Sequence, residues 1–302
     1  YNMASINKGQ IPVKITGGFR SGAGILGKIY KGADLIYNAT SGAGLDADAQ
    51  AYIDAVIAAG GTLSAGNQTA INDFYVALKA NSLYSEIKYM YPFMGGTAAG
   101  NAICGINPTN ASYTITWGFN LTNAAAHTAA GIDTRTFSGF GTITELLTNI
   151  HSSVNSVAFG AAITAATTGD ECFVIGKTAD TVSNNRYQFN IPFDANNVYV
   201  AVGSANFAIY NNGAVPVGRW ISSRTSSTSI VTYKNSSSVV TNTVANTGVL
   251  NNSPQFFSSL SNTASALFIG VCGFVFGGNG LSGAQVSTLD GLISTFQTAI
   301  GR

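Results

Sequence analysis

The sequence predicts a mainly β fold, an antiparallel sandwich or barrel, and three observations point to it. From about residue 98 onward, short apolar segments are separated by clusters of Asn, Gly and Ser, a pattern typical of many short strands joined by turns. These segments do not alternate with helical patterns, which argues against a parallel α/β fold. Hydrophobic residues make up 46% of the 302-residue chain, enough to build a real core.

Strands in this region are predicted from alternating or continuous apolar stretches. They are placed at 112–119, 154–163, 171–177, 186–191, 197–202, 206–210, 218–223, 229–234, 237–244 and 265–276. The longest apolar run, at 266–278, is shorter than the roughly 20 residues of a membrane-spanning helix. It is therefore predicted to be a buried strand, and no membrane insertion is expected.

Residues 45–88 change to a helical period, which predicts two short helices. One face of the first helix, N-capped by Asp46 and ended by Gly60, is formed by Leu45, Ala49, Tyr52, Ile53, Val56 and Ile57. The second helix, with a break near Asn81, carries Ile71, Phe74, Tyr75, Leu78, Tyr84 and Ile87. Two short helices joined by a Gly-rich turn predict a helical hairpin.

The sequence closes with an amphipathic helix predicted over 282–300. Ser282 and Gln285 fit a capping box, and Leu281 precedes the cap where a hydrophobic staple would lie. Gly301 stands where helices often end. One apolar stripe recurs at spacings of three and four residues: Val286, Leu289, Leu292, Ile293, Phe296 and Ile300. We expect this stripe to pack on the sandwich or on the helical hairpin.

Residues 1–42 are Gly-rich and are predicted to form an N-terminal β arm. The segment 27–40 places apolar residues on both sides of a central "KGAD" turn, which is a hairpin pattern. An isolated hairpin buries too little surface to be stable alone. We therefore expect the arm to pack on another domain, another subunit or a neighbouring protein.

The charge content narrows the classes of function. Charged residues make up only 9% of the chain, against roughly 25% in an ordinary soluble protein, and the net charge is +1. Without clustered Lys and Arg, nucleic-acid binding is not expected. The cysteines, Cys104, Cys172 and Cys272, are too widely spaced for a disulfide framework or a metal cluster and are predicted to be buried free thiols. A surface made polar by Asn, Thr, Ser and Gly suits large assemblies or extracellular proteins.

Several stretches resemble one known family. "DADAQAYI" and "QTAINDFYVALKANSLYSEIKYMYPFMGGTA" resemble a helical segment found in structural proteins of phages and prophages of Bacteroidota. "ISSRTSSTSIVTYKN" resembles a strand pair of these proteins, with Ser236 where the pattern often has Gly, and 265–302 resembles their closing strand and helix. "KIYKGADLIY" is similar to short N-terminal repeats of tail and fibre proteins. The resemblance covers most of 28–97 and 215–302 and is weak over 98–214.

This resemblance implies a concanavalin A-like, or laminin-G-like, β-sandwich of the jelly-roll type. The implied organisation is an N-terminal arm at 1–42, a helical hairpin at 43–97 and a sandwich at 98–302 that the C-terminal helix closes. The implied function is that of a virion structural protein: a fibre, spike, tail component or capsid decoration. Such a protein would lie on the exterior of the phage particle after assembly in the bacterial host cytoplasm. Expected partners are further copies of the chain, with a trimer as one arrangement, other virion proteins and host surface glycans.

Two motifs resemble ligand-binding loops, but each lacks residues that the loop requires. "GAGILGK" at 22–28 has the Gly and Lys positions of a phosphate-binding loop, but Ile29 stands where Ser or Thr would hold magnesium. "DADAQ" begins like a calcium loop with Asp46 and Asp48, but the sixth position lacks Gly and the twelfth is Ile57 rather than Glu. Acidic residues at a helix N-terminus are the simpler interpretation. No cofactor is expected.

Concanavalin A-like folds also include glycoside hydrolases, which need two carboxylates about 5–10 Å apart. The E-x-D-x-x-E strand signature of that class is absent, because none of the glutamates, Glu86, Glu145 and Glu171, begins it. Asp170 and Glu171 are neighbours and would point to opposite faces of a strand. A pair assembled from distant residues stays open, with Asp170, Glu171 and Asp194 as the acids to test.

The remaining chemistry-bearing residues give no enzyme signature. His127 and His151, the histidines of the sequence, have no Cys, Asp or second His at ligand spacing, so metal binding is not expected. No G-x-S-x-G elbow supports a Ser-His-Asp triad. The N-x-S/T sequons at Asn38, Asn120 and Asn235 follow from the composition and are expected to stay unmodified in a bacterial host.

The aromatic residues leave one binding hypothesis open. Trp220, Tyr210 and Tyr233 offer rings on which a sugar could stack, but these residues and Trp117 are about three times more often sandwich core. We assign no catalytic, cofactor-binding or metal-binding residue. The main hypothesis is a non-enzymatic virion structural protein. The alternatives are a dedicated, lectin-like carbohydrate-binding module and a glycoside hydrolase.

Overall fold

The structure is a computed structural model of the 302-residue chain. It describes residues 13–16, 28–31, 34–38, 44–151, 153, 155–166, 173–178, 186–191, 197–204, 208–211, 217–243, 245, 253–257 and 267–302. The chain divides into two compact units, Tyr1–Ala47 and Asp48–Arg302, and each is described by itself.

The first unit contains a three-stranded antiparallel sheet in the order β1-β2-β3. Its strands are β1 (Val13–Thr16), β2 (Lys28–Lys31) and β3 (Asp34–Asn38). β2 and β3 pair with Lys31 opposite Asp34, so the hairpin predicted at 27–40 is formed.

The second unit begins with two helices, α1 (Ala47–Ala58) and α2 (Ala65–Ala80). The Ser64 hydroxyl accepts a hydrogen bond from the Asn67 amide and caps α2, while Asn81 ends it. The predicted helical hairpin is present, with two corrections. Ile57, expected on the buried face of α1, is 48% exposed. Tyr84 and Ile87, both expected on the second helix, lie beyond its end: Tyr84 is in a turn, and Ile87 starts a strand, β4 (Ile87–Tyr91).

The larger part of the second unit is a pair of antiparallel sheets. The seven-stranded sheet has the order β13-β12-β11-β10-β17-β8-β5. Its strands are β5 (Thr116–Phe119), β8 (Gly139–Thr142), β10 (Phe173–Thr178), β11 (Arg186–Asn190), β12 (Asn197–Ser204), β13 (Ala208–Asn211) and β17 (Gln255–Phe256). β5 is therefore the terminal strand of this sheet.

The eight-stranded sheet has the order β16-β15-β14-β9-β18-β7-β6, and β4 pairs with β18 beside this path. Its other strands are β6 (His127–Thr128), β7 (Gly131–Asp133), β9 (Val157–Ala166), β14 (Gly218–Arg224), β15 (Ile230–Lys234), β16 (Ser237–Asn242) and β18 (Gly270–Gly278). β18 is buried along its whole length, as predicted for the long apolar run.

The two sheets face each other across an aromatic core. Phe159 of the eight-stranded sheet and Phe189 of the seven-stranded sheet have ring centroids 5.7 Å apart, and Phe189 also meets Trp220 edge to face at 6.3 Å. Cys104 and Cys272 are buried free thiols, as expected, whereas Cys172 lies outside the described residues. The predicted fold class, a jelly-roll-like antiparallel sandwich with a helical hairpin before it, is confirmed.

Two one-turn helices, α3 (Ala98–Asn101) and α4 (Leu147–Ile150), lie between the strands. The last helix, α5 (Gly283–Ala299), forms as predicted with a complete capping box between Ser282 and Gln285. Four residues of its stripe are buried: Val286, Leu289, Ile293 and Phe296. Leu292 and Ile300 are only half-buried, which narrows the predicted stripe. The helix lies against both expected partners, because α5 contacts α2 of the hairpin and β14 of the sandwich.

Candidate functional site

An open cleft of about 430 Å³ lies beside the terminal strand β5. The cleft is formed where the residues that follow α1 and β4 approach the edge of the seven-stranded sheet. Its walls include four alanines, two threonines and one tryptophan: Ala59, Ala98, Ala99, Ala102, Thr114, Thr122 and Trp117. The small alanine side chains leave room beside the indole ring, so the cleft is an open space with one large aromatic wall.

Backbone and side-chain hydrogen bonds fix the alanine wall. The Thr97 hydroxyl caps a short helix, α3 (Ala98–Asn101), by accepting a hydrogen bond from the Gly100 amide at 3.0 Å. The Asn101 side chain accepts from the Gly95 amide at 2.6 Å. The Ile115 amide donates to the Ala102 carbonyl, which joins this short helix to the residues that lead into β5. The alanines are therefore held at a fixed distance from Trp117.

Trp117 is half-buried and is fixed on three sides. Its indole Nε1–H donates to the Ala98 carbonyl at 2.8 Å. Its ring stacks on Phe257 with centroids 6.4 Å apart and an interplanar angle of 13°, and it meets His127 edge to face at 5.2 Å. A ring held in this way loses little conformational entropy when it binds a ligand.

His127 supports Trp117 from inside the protein. The Asn101 side-chain amide donates to His127 Nδ1 at 3.1 Å, so the ring donates from Nε2 to the Leu121 carbonyl at 2.8 Å. Burial lowers the pKa of His127 below its usual value, with the hydrogen bond to Leu121 opposing that change. Both ring nitrogens are therefore engaged in a neutral imidazole, which makes His127 a positioning residue.

The described residues that line the cleft carry hydroxyl groups and no ionisable side chain. The Thr122 hydroxyl donates to the Phe119 carbonyl at 3.0 Å. Among the residues that the structure describes, none hydrogen-bonds the Thr114 hydroxyl, which leaves this group able to bond a ligand. The sequence has no Asp, Glu, Lys or Arg between Lys88 and Asp133. The cleft can therefore bind an uncharged ligand but holds no group for acid–base chemistry.

The acidic residues considered from the sequence lie in structural contacts where they are described. Asp48 forms an ion pair with Lys79 at the first turn of α1. Glu86 accepts a hydrogen bond from the Asn279 amide at 3.0 Å, and Glu145 accepts one from the Asn149 amide at 2.7 Å. Asp170, Glu171 and Asp194 lie outside the described residues, and so does the "GAGILGK" segment except for Lys28.

The aromatic residues proposed for stacking have different environments. Trp220 is fully buried, as the core interpretation predicts, with the Lys234 ammonium 4.8 Å from its ring centroid. Tyr210 packs edge to face on Trp220 at 6.0 Å, and Tyr233 is half-buried. Trp117 was also expected in the core; it does pack against the core, yet it borders the cleft. No local signal separates Trp117 from Trp220, because the cleft depends on Ala59 and Ala98, which are distant in sequence.

Three other features were considered in the described parts of the chain: metal sites, membrane-spanning helices and the sequons. Among the described residues, no three His, Cys, Asp or Glu side chains come together as a metal site. None of the described helices is long and apolar enough to cross a membrane. The Asn235 side chain of one sequon accepts a hydrogen bond from the Arg219 amide at 2.9 Å, whereas Asn120 is exposed beside β5 and Asn38 ends β3.

Comparisons with known proteins give no family assignment. No family model matches the chain. No curated protein matches it either.

Several solved structures resemble the chain weakly. Domain 4 of an extracellular arabinanase from Geobacillus stearothermophilus, solved with arabinotriose, is 11% identical, with a TM-score of 0.45, over 68% of this chain and 98% of that domain. The binding domain of botulinum neurotoxin DC, solved in complex with SialylT, is 12% identical, with a TM-score of 0.36 over 51% of this chain and 39% of its own. The binding domain of Paraclostridial Mosquitocidal Protein 1 is 9% identical, with a TM-score of 0.40 over 68% of this chain and 52% of its own.

Proposed function

We propose that the chain is a non-catalytic binding protein whose β-sandwich takes a neutral glycan in the cleft beside Trp117. One observation carries the proposal: a half-buried tryptophan, fixed by Ala98, Phe257 and His127, borders an open cleft whose described lining residues carry no charge. Ligand sites are typically concave and largely apolar, with a few convergent polar groups, and this cleft has that composition.

The chemistry of the cleft suits a sugar ring. The apolar C–H face of a sugar can lie against an indole, which supplies a large apolar surface. The Thr114 hydroxyl can then exchange a hydrogen bond with a sugar hydroxyl. Because hydrolysis of a glycosidic bond needs two carboxylates about 5–10 Å apart, and the cleft lining has none, binding without cleavage is the function proposed for this site.

The test is a binding measurement on a variant in which a large side chain blocks the cleft and the core is unchanged. Ala99 is exposed on the cleft wall, so Ala99→Arg is expected to fill the space while the protein keeps its fold. Ala80→Arg, at an exposed position that ends α2, is the matched control. We expect the unmodified protein to bind at least one of the cello-, xylo-, manno- and arabino-oligosaccharides in calorimetry. Ala99→Arg should weaken that binding by about 10-fold or more, a change of about 1.4 kcal/mol, and Ala80→Arg should not.

A second variant tests the aromatic wall itself. Trp117→Phe keeps an aromatic ring in the core but removes the hydrogen bond to Ala98 and part of the ring surface, so a moderate loss of affinity is expected. Binding that is the same in Ala99→Arg, Trp117→Phe and the unmodified protein would place the glycan elsewhere. An unmodified protein that binds none of the four oligosaccharide series would refute the proposal.

A role in a phage virion is the second candidate, and it is favoured by the sequence. The support is the resemblance of most of 28–97 and 215–302 to phage structural proteins, together with the low charge of the chain, in which only 9% of all residues are charged. In this proposal the chain is an exterior component of the particle, anchored through its N-terminal segment to further copies or to other virion proteins. Glycan binding and a structural role are compatible in one protein.

The virion proposal is tested by complementing a phage that lacks the gene. Particles made with the full chain should contain it, as measured by quantitative mass spectrometry of purified particles. Particles made with the chain lacking residues 1–42 should contain little or none. Absence of the full chain from purified particles would overturn this proposal without affecting the binding proposal.

A further inference from the structure

Phe119, at the end of β5, has an unusual backbone and an unusual exposure. Its φ of 52° and ψ of −139° lie outside the conformations that a bulky residue normally adopts. Its side chain is 54% exposed. Strained residues that persist in a native structure cluster at binding and active sites, so a strained and exposed aromatic residue requires an explanation.

The neighbouring residues form an aromatic platform with Phe119. The rings of Phe119 and Phe140 meet edge to face with centroids 5.4 Å apart. Phe140 pairs with Gly118 across the strands, and its ring lies directly over that glycine. A Cβ atom at position 118 would come within 2.4 Å of the Phe140 ring, so only glycine permits this arrangement.

The platform and the Trp117 cleft share the terminal strand β5. Thr122 lines the cleft and donates its hydroxyl hydrogen to the Phe119 carbonyl. Trp117 and Phe119 are two residues apart on one strand, which places their Cα atoms roughly 6–7 Å apart. The Phe140 ring lies over Gly118 and the indole lies over Gly141, so platform and indole are on opposite faces of β5. Because β5 is a terminal strand, an extended oligosaccharide would touch both by crossing its open edge.

The chemistry around the platform is neutral and polar. Asn120 and Asn123 are exposed beside Phe119 in the sequence, and the Asn123 oxygen accepts a hydrogen bond from the Ala125 amide, which leaves its NH₂ group for other partners. Amide groups beside an exposed aromatic ring can bond sugar hydroxyls while the ring covers the apolar face of the sugar. The uncharged stretch between Lys88 and Asp133 includes the cleft wall from Ala98 to Thr122 and the platform residues up to Asn123.

We propose that Phe119, supported by Phe140, forms a second sugar-binding subsite next to the Trp117 cleft. The protein then recognises several consecutive residues of a neutral oligosaccharide rather than one terminal sugar. This inference rests on the proposed glycan-binding function and deepens it, because it names a ligand of at least three or four linked neutral sugars. The strained backbone of Phe119 serves to turn an aromatic ring outward beside the cleft.

Calorimetry with oligosaccharides of increasing length tests the second subsite. The probe is the cello-, xylo-, manno- or arabino-oligosaccharide series that the unmodified protein binds, from disaccharide to hexasaccharide. Phe119→Gly removes the ring and also suits the positive φ, so the fold should be kept and its melting temperature should not fall by more than a few degrees. We expect the unmodified protein to bind the tetrasaccharide at least 10-fold more tightly than the disaccharide, and Phe119→Gly to lose that gain while binding the disaccharide normally.

Two further variants control the experiment. Phe119→Tyr keeps the ring and should keep the gain with length. Ile209→Ala removes another exposed apolar side chain, 50% exposed on the opposite terminal strand β13, and should behave as the unmodified protein.

Each outcome has a defined consequence. An unchanged gain with length in Phe119→Gly would overturn the second subsite and leave the Trp117 cleft in place. If Phe119→Gly instead lowers the oligomeric state in light scattering without changing oligosaccharide binding, the platform is a contact between copies of the chain and the inference is wrong. If the unmodified protein binds none of the four series, the proposed function and this inference both fail.

Discussion

The guanidinium of Arg219 on β14 holds the carboxylate of Asp290 on α5 through two hydrogen bonds, of 2.9 and 3.0 Å. Ser236 adds a third, with its hydroxyl donating to the same carboxylate at 2.6 Å. The Asp290 side chain is only 2% exposed, so its charge depends on these donors. The pair fixes the position of α5 along its axis at the sandwich, because an apolar stripe alone would allow the helix to slide.

Asp290→Ala should lower the free energy of unfolding by about 1.5–3 kcal/mol, the usual contribution of hydrogen bonds to a charged group. Arg219 is 28% exposed and can turn to water, which keeps the loss below that of a fully buried pair. Urea unfolding followed by circular dichroism measures the change. Asp133→Ala is the control, because Asp133 pairs with the exposed Arg135 and should contribute much less. Equal losses in the two variants would show that the Arg219–Asp290 pair does not fix α5.

Phe296 joins three structural elements. Its ring stacks on Phe74 of α2 at 4.9 Å and meets Phe274 of β18 at 6.3 Å, and it is 3% exposed. Phe296→Ala should therefore cost about 3–5 kcal/mol of unfolding free energy, as expected for a buried aromatic truncation. Thr298→Ala, at an exposed position of the same helix, is the control and should leave the melting temperature within a few degrees. A melting curve unchanged by Phe296→Ala would mean that α5 does not depend on this contact.

The sequence predicted α5 well because its signals are local. The capping box needs only Ser282 and Gln285, and the stripe needs only the helical period. β4 was not predicted, since Ile87 continues the apolar spacing of the helical segment before it and was assigned to that helix. The strand is buried through pairing with β18, almost two hundred residues away. β8 (GFGT) was not predicted either, because two glycines in four residues weaken a strand signal.

The candidate site could not be predicted from local pattern. Trp117 and Trp220 both lie in strand-like segments, and only long-range packing buries one and leaves the other beside a cleft. The backbone of Phe119 contradicts the residue preference, because positive φ is normally the conformation of Gly or Asn. Gly118 makes room for the ring of Phe140, and the sequence does not show that these two residues lie opposite each other on paired strands.

Stability should fall between pH 6.5 and pH 4 because of His151. Its ring stacks on Tyr187 at 5.5 Å in the interior, and burial lowers its pKa from 6.5 to about 4. Since the unfolded chain binds a proton in this range and the folded chain does not, acidification favours unfolding, by about 3 kcal/mol at pH 4. Below about pH 3, where His151 is protonated in both states, this contribution no longer changes. Urea unfolding at a series of pH values measures the slope.

His151→Phe is the matched variant for this pH dependence. Phenylalanine keeps a ring beside Tyr187 but cannot titrate, so the slope between pH 6.5 and pH 4 should decrease. A smaller slope of the same sign should remain, because burial also lowers the pKa of His127. An identical slope in the variant and the unmodified protein would show that His151 is protonated in the folded state or is not linked to stability.

The sandwich unit should fold without the N-terminal segment. The chain divides between Ala47 and Asp48, and the described residues of the large hydrophobic core lie between Tyr89 and Val275. A chain of residues 44–302 should therefore have a free energy of unfolding within about 0.5 kcal/mol of the corresponding transition in the full chain, the scatter typical of changes that touch no core.

The contrasting truncation removes α5. A chain of residues 1–280 loses Phe296, Ile293 and the Arg219–Asp290 pair, and should fail to give a cooperative unfolding transition. Calorimetry of both truncated chains beside the full chain makes the comparison. If residues 44–302 melt many degrees below the full chain, the N-terminal segment stabilises the sandwich directly. In that case, absence of the truncated chain from phage particles would no longer show that residues 1–42 are the anchor, because an unstable protein would be absent as well.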